Sequence, residues 1–169
     1  MNRGSALLLD GFARVAEEVP RVVFGLSPAQ LAWYPGPFAN SIGWLIWHLA
    51  RVEDDHMAGV ADSEQVWPTQ WCDRFDLPYD AGDIGYGQSA DQAHRLEASE
   101  DLLAGYYAAV HARTVEILDG LVDPDFDRIV DRRWYPPVTA AVRIVSVLND
   151  VTQHVGQAAY VRGLLEAQK

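Results

Sequence analysis

Four long segments of this chain repeat apolar residues at the spacing of an α-helix, and this periodicity constrains the fold more than any other feature of the sequence. Strand signals are sparse by comparison. A short strand could hide within Trp67–Tyr86 or Val130–Tyr135 without changing the fold class. Four long helices with little strand predict an all-α bundle. The predicted helices span about Ser5–Phe24, Asn40–Val60, Ser99–Gly120 and Pro137–Leu165.

A long connection, Ser63 to about Ala98, separates the second and third predicted helices. It contains Trp67-Pro68, Leu77-Pro78-Tyr79 and Gly85-Tyr86-Gly87, which are typical of turns rather than of regular structure. Connections of this length are unusual in a compact domain and more often have a function than serve only to join two helices. We therefore expect this irregular segment to cover a pocket. In the first helix, Pro20 is expected to kink or divide the segment.

Length and charge narrow the classes of protein to which the chain can belong. A chain of 169 residues with 49% hydrophobic and 22% charged residues suits one globular domain, predicted to span residues 1–169. The net charge is −11, and the short pair Arg132-Arg133 supplies no basic stripe. This balance predicts no nucleic-acid partner, because phosphate binding requires clustered basic residues. An anionic membrane surface is disfavoured for the same reason.

The single cysteine and the apolar runs bear on the compartment. Cys72 stands alone, so no disulfide can form within the chain, which fits a reducing cytoplasm. The apolar run near the amino terminus, Ala6–Leu9, is too short for a signal-peptide core, and no run approaches the length of a membrane span. We therefore predict a cytoplasmic protein.

The fourth predicted helix carries two polar residues on its apolar face. Asp150 and His154 are four residues apart, which places them side by side on a helix. Val147, Val151 and Ala158 lie around the same side. Burying a carboxylate and an imidazole is costly unless the groups are hydrogen-bonded, paired or coordinated to a metal. This pair is therefore the most informative anomaly in the sequence.

His48 is a further polar residue near an apolar face. It lies beside the apolar stripe of the second predicted helix. If the second and fourth helices are neighbours, His48, Asp150 and His154 form one cluster. Two nitrogen ligands and one carboxylate suit zinc or another first-row divalent ion, with positions left open to water or substrate. The alternative is that Asp150 and His154 form an ordinary helical pair, while His48 bonds a backbone carbonyl in the core.

The remaining histidines and the cysteine are weaker candidates for chemistry. His56, His94 and His111 are each expected to be surface or packing residues. Cys72 has no obvious base nearby in sequence, and the adjacent Asp73 disfavours its thiolate. We therefore expect no catalytic residue beyond the three metal ligands.

Several segments resemble those of a known superfamily of metal-binding four-helix bundles. Ile42–Leu49 (IGWLIWHL) is similar to the second-helix signature of the DinB/YfiT-like superfamily, and Asp150–Gly163 (DVTQHVGQAAYVRG) is similar to its last-helix signature. Arg74–Pro78 and Gly85–Ser89 resemble its actinobacterial mycothiol-dependent members, the maleylpyruvate isomerase and mycothiol S-transferase-like subgroup. The resemblance covers most of the chain in the expected order.

This resemblance implies an up-down-down-up four-helix bundle in which three side chains hold a divalent metal. One ligand is a histidine on the second helix, matching His48, and two lie four residues apart on the last helix, matching Asp150 and His154. Many superfamily members have histidine at the position of Asp150, and mycothiol-dependent maleylpyruvate isomerase has glutamate. We expect zinc at this site, with nickel as the alternative.

The resemblance also implies a function. Characterised relatives include isomerases and S-transferases that use a low-molecular-weight thiol such as mycothiol or bacillithiol. We therefore predict a metal-dependent thiol S-transferase or isomerase that acts on small electrophiles, in which the thiol cofactor rather than Cys72 attacks. The alternatives are a non-enzymatic metal-binding, small-ligand-binding or stress-associated protein, and a metal-dependent hydrolase. A homodimer is the expected assembly.

Overall fold

The computed structural model describes residues 2–168 and is mostly helical. The four long predicted helices are all present. Met1 and Lys169, the ends of the predicted domain, lie outside the described residues. In chain order the α-helices are α1 (Arg3–Val23), α2 (Pro28–Leu31), α3 (Ile42–Ala61), α4 (Cys72–Phe75), α5 (Ala90–Ala93), α6 (Glu100–Gly120) and α7 (Ala140–Glu166).

Short polar side chains begin each of the long helices. The side chains of Asn2, Ser41, Ser99 and Thr139 each accept a hydrogen bond from the backbone N–H three residues further on. Such caps satisfy amide groups that have no partner within the helix. Pro20 does not divide α1, which continues to Val23.

The helix α3 lies at the centre of the packing. It packs against α7 and α6, and α1 packs against the same two helices. Nearly all residues of α3 are buried, including the polar His48. One face of α3 therefore lies against α7, and this contact positions the polar residues that the two helices carry.

A buried polar network ties the start of the long connection to α3. Asp54 accepts hydrogen bonds from the backbone N–H groups of Val66 and Trp67, each at 2.7 Å, and from the Tyr106 hydroxyl at 2.8 Å. The Arg51 guanidinium lies 3.5 Å from the Asp54 carboxylate. Because both oxygens of Asp54 accept hydrogen bonds and a guanidinium lies beside them, the carboxylate is stabilised in the core.

The prediction that the long connection consists of turns is wrong in part. It contains one π-helical turn, Trp67–Trp71, followed directly by α4, and α5 forms further along. The rings of Trp67, Trp71 and Phe75 are buried and pack around Tyr106 of α6. Burial of these rings stabilises short helical turns that the local sequence would not sustain alone.

A small two-stranded sheet accompanies the helices, and it does not change the mostly helical class of the fold. Ile129–Asp131 (β1) pairs antiparallel with Val138–Thr139 (β2), with an irregularity in the register between the first and last residues of β1. The β-branched residues of both segments favour extended structure. The predicted start of the fourth helix at Pro137 was therefore early, because the residues just before α7 form β2. Of the two segments proposed to hide a strand, only Val130–Tyr135 overlaps one.

Within residues 2–168, no helix combines the length and apolar character needed to cross a membrane.

Candidate metal centre

The structure brings His48, Asp150 and His154 together, as the sequence predicted. His48 comes from α3, and the other two come from successive turns of α7. Each contributes one potential ligand atom, and these atoms all lie within 4.8 Å of one another. The rings of the two histidines meet edge to face with their centres 4.9 Å apart. The cluster could hold a metal ion.

Hydrogen bonding leaves one nitrogen of His48 free to bind a metal. Its Nδ1 lies 2.5 Å from the carbonyl oxygen of Ile84. Because a carbonyl only accepts, Nδ1 carries the proton and Nε2 keeps its lone pair. Burial lowers the pKa of His48, which favours the neutral ring that a metal requires.

The second histidine is oriented in the same way. His154 Nδ1 lies 2.9 Å from the side-chain oxygen of Gln157, one turn further along α7. The proton on Nδ1 donates to this oxygen and leaves Nε2 with the free lone pair. Outer partners of this kind fix the orientation of metal-binding histidines.

The carboxylate of Asp150 is incompletely satisfied. Its Oδ2 lies 3.7 Å from His154 Nε2, which is too long for a hydrogen bond. Its Oδ1 is buried and has no hydrogen-bond partner among the described residues. An ordinary helical pair therefore does not account for this carboxylate. A cation between the two histidines and Asp150 would satisfy it.

The loop between α4 and α5 is fixed against α3 by its own side chains. Asp83 accepts hydrogen bonds from the backbone N–H of Gly85 at 2.9 Å and from the Gln88 amide at 2.8 Å. Gln88 accepts in turn from the indole N–H of Trp44, also at 2.8 Å. Trp44 lies one turn before His48 on α3 and stacks on its ring. The loop thereby holds the carbonyl that orients His48.

Gly85 allows this loop to approach the histidine. It has a φ of +87°, which residues with a side chain rarely adopt. A Cβ atom at this position would lie 2.8 Å from His48 Nδ1 and 3.0 Å from ring atoms of Trp44 and Trp47. Both the backbone conformation and the available space therefore require glycine.

We expect Gly85→Ala to weaken metal binding by roughly 10- to 100-fold, the range seen when a partner of a ligand is disturbed. The matched control is Gly87→Ala, which has a φ of +76° but nothing within 4 Å of its Cβ position. Both variants carry the backbone strain, but only Gly85→Ala displaces His48. Metal titration of both proteins checks this, and equal losses of affinity would contradict the proposed support of His48.

A cavity of about 640 Å³ adjoins the cluster and is lined by His48 and Asp150. Apolar side chains, among them Val52 and Val147, form part of its wall, and Trp134 lines it with a ring that is largely exposed. The cavity is large enough for a small organic molecule. A ligand there would lie directly against the cluster.

The same cavity contains two arginines that the sequence analysis did not single out as site residues. Arg133 binds both carboxylate oxygens of Asp131, at 3.0 and 2.9 Å, and Arg143 donates to Asp131 at 2.9 Å. The hydrogen bonds from Arg133 hold the pKa of Asp131 well below its usual range. The sequence did contain one indication that Arg143 lies near the cluster. Arg143 precedes Asp150 by two helical turns and so shares its face of the helix.

The other histidines take different places. His94 bonds the carbonyl of Ala39 and stacks on Tyr34, which confirms its packing role. His111 packs beside Tyr107 on α6. His56 is a partly exposed residue that lines the cavity beside the cluster and pairs with the neighbouring Asp55. Eight residues turn a helix only about 80° past His48, so His56 shares the cavity wall with it.

Comparisons with known proteins identify a family and a similar solved structure. Residues 7–167 match the sequence model of the mycothiol-S-transferase family. A crystal structure described as the conserved protein of a locus from Enterococcus faecalis is similar over 99% of both chains, with a TM-score of 0.91 and 30% sequence identity. Among curated proteins, none matches the chain.

Proposed function

This chain belongs to the mycothiol-S-transferase family, and we propose that it is a metal-dependent transferase that joins a low-molecular-weight thiol to a small electrophile. The family resemblance predicted from the sequence is thereby confirmed. The observation that carries the proposal is the donor set. His48 and His154 both keep Nε2 free, and Asp150 offers a buried oxygen without a partner.

A divalent ion held by these three side chains, zinc by our prediction, would bind the sulfur of the thiol and stabilise the thiolate near neutral pH. The hydrogen bonds at Nδ1 of His48 and His154 keep both rings oriented toward the centre. Three protein ligands leave room for the thiol sulfur, as in catalytic zinc sites. Val52 and Val147 in the wall of the adjoining cavity offer apolar contacts to the body of the electrophile.

The reaction is a substitution at carbon. The sulfur uses its electron pair to form the new S–C bond, the bond from carbon to the leaving group breaks with its electron pair, and the thiol proton passes to solvent. Within the described residues, Cys72 begins α4 and is not among the residues that line this cavity. This placement supports attack by the bound thiol, and it assigns Cys72 no chemical step.

We also infer that the four long helices form the up-down-down-up bundle of the family resemblance. The packing of α1 and α3 against both α6 and α7 supports this arrangement. The single domain, the homodimer, the cytoplasmic location and the identity of the metal stay predictions.

Measuring loss of free thiol tests the proposal. Metal-loaded protein is mixed with mycothiol and with two electrophiles, 1-chloro-2,4-dinitrobenzene and 4-(chloromethyl)benzoate. We expect thiol loss faster than the uncatalysed rate, abolished by a chelator and restored by zinc. Turnover of neither electrophile would overturn the transferase proposal in favour of a binding protein. Cleavage of an ester substrate without added thiol, together with no thiol loss, would overturn it in favour of a hydrolase.

A further inference from the structure

The geometry points to a binding site for an anion on the electrophile, formed by Arg133 and Arg143 at the wall of the cavity. We propose that the natural electrophile carries a carboxylate or a similar anionic group at one end and an apolar body. This inference rests on the proposed transfer function and names the class of molecule that the site accepts.

The first support is a pair of arginines that share one carboxylate, in a chain whose net charge is −11. Asp131 accepts hydrogen bonds from both arginines, so two positive charges face one negative charge. An arginine has five N–H donors, and the recorded bond from Arg143 to Asp131 uses one of them. Asp131 thus fixes the two guanidinium groups while most of their donors stay available.

A second carboxylate in the cavity, Asp55, acts on Arg133 through its charge but not through a hydrogen bond. Its oxygens already accept from the Gln65 amide at 2.9 Å and lie 3.1 Å from His56 Nδ1. The hydrogen bond from His56 is the main cause of the lowered pKa of Asp55. Across residues 2–168, no hydrogen bond or ion pair joins Asp55 to Arg133 or Arg143. Both arginines line the cavity, and the N–H donors that Asp131 does not use are not hydrogen-bonded to Asp55.

Position on α7 supplies the third support. Arg143 precedes Asp150 by two turns, roughly 10 Å along the helix axis. Arginine and metal ligand line the same cavity, with Val147 between them. A molecule that bridges the two sites has one end at the metal centre, an apolar middle and an acidic end. Arginine suits this end because its planar fork matches a carboxylate.

Matched electrophiles test the assignment through rates. The pair is 4-(chloromethyl)benzoate and the neutral 4-(chloromethyl)benzamide, each reacted with mycothiol. We expect wild type to prefer the benzoate in kcat/KM by at least about tenfold, as for a charge-assisted hydrogen bond. Arg133→Met should lose this preference. The matched control Arg132→Met removes the same charge from the same loop, outside the residues that line the cavity, and should keep it.

The same experiment contains two results that would overturn the proposal. One is equal kcat/KM for benzoate and benzamide in the wild type. The other is an equal loss of preference in Arg132→Met and Arg133→Met, which would indicate a general charge effect. Because the side chain of Arg133 is 86% exposed, its replacement is not expected to unfold the protein. Arg143→Lys keeps the charge but loses the fork, and should show an intermediate preference.

The anion could also belong to the thiol, and a second arm of the experiment distinguishes this source. With the neutral benzamide, 3-mercaptopropionate and 2-mercaptoethanol are compared as thiols. A rate that falls in Arg133→Met for the charged thiol alone would assign the arginines to the thiol and overturn the proposal. Equal responses of the two thiols support an anion on the electrophile.

Equilibrium binding separates this inference from the transfer function. Calorimetry measures the affinity of the unreactive 4-methylbenzoate for wild type, His48→Ala and Arg133→Met. Binding that persists in His48→Ala and is lost in Arg133→Met supports the arginine site even if no thiol transfer is found. Binding that is lost in His48→Ala and kept in Arg133→Met assigns the carboxylate to the metal and overturns the proposal.

Discussion

Replacing His48 by alanine is expected to remove the bound metal and the thiol transfer together. Loss of an outer partner of a ligand costs about 10- to 100-fold in metal affinity, and loss of the ligand itself should exceed 100-fold. Asp150→Ala and His154→Ala should behave alike, because each removes one of the three donors that meet within 4.8 Å. Elemental analysis after dialysis, followed by the thiol assay, measures both losses.

Two control variants separate loss of the site from damage to the fold. Gln153→Ala changes an exposed residue of α7 next to His154. His94→Gln changes a histidine that bonds a backbone carbonyl away from the cluster. Both should keep near-stoichiometric metal. Metal retained in all three ligand variants would exclude this cluster as the centre, whereas metal lost in both controls would indicate a general loss of folded protein.

The second large effect concerns stability against pH and arises at Glu53 of α3. This side chain is fully buried; one oxygen accepts from the Tyr107 hydroxyl at 3.1 Å, and the other has no partner among the described residues. Burial raises the pKa of Glu53 from its ordinary 4.5 to about 7. The folded state therefore keeps this proton over a pH range in which the unfolded chain releases it.

The direction in which the free energy of unfolding changes with pH follows from which state, folded or unfolded, binds the proton. Below pH 4.5 both states hold the proton, so Glu53 carries no ionisation penalty. Between that pH and about 7, the folded state binds more protons than the unfolded one, so the free energy of unfolding falls as the pH rises. The shift in the pKa of Glu53 corresponds to about 3 kcal/mol of unfolding free energy. All of this contribution is lost above neutral pH.

Glu53→Gln removes this titration. We expect the variant to lack most of the fall in unfolding free energy that wild type shows between acidic and neutral pH. Urea denaturation at several pH values measures the difference between the two proteins. Glu17→Gln, the same change at an exposed position of α1, should follow the wild-type curve. Parallel curves for Glu53→Gln and wild type would show that Glu53 does not titrate in this range.

Helical periodicity predicted the long elements because α1, α3, α6 and α7 each bury a continuous apolar face. The candidate metal cluster was predictable for a related reason, since His48, Asp150 and His154 are polar side chains on such faces. Spacing along one helix places Asp150 beside His154. Spacing does not predict that α3 lies against α7, which is the contact that adds His48 to the cluster. That prediction rested on the assumption that the two helices are neighbours and on the family resemblance.

Other parts of the site depend on contacts that no local pattern records. The carbonyl of Ile84 orients His48 only because the loop folds back onto α3 through Asp83 and Gln88. Asp131 meets Arg143 because a short sheet returns the chain to the start of α7. The π-helical turn after α3 is stabilised by rings from distant segments, so its own turn residues gave no sign of it.

The cluster combines residues of two helices that are far apart in the chain. This separation has a consequence for biosynthesis. His48 leaves the ribosome long before Asp150 and His154 are translated. The three donors cannot meet until α7 has been made and has packed against α3. A metal can therefore be held by all three donors only after α7 has been translated.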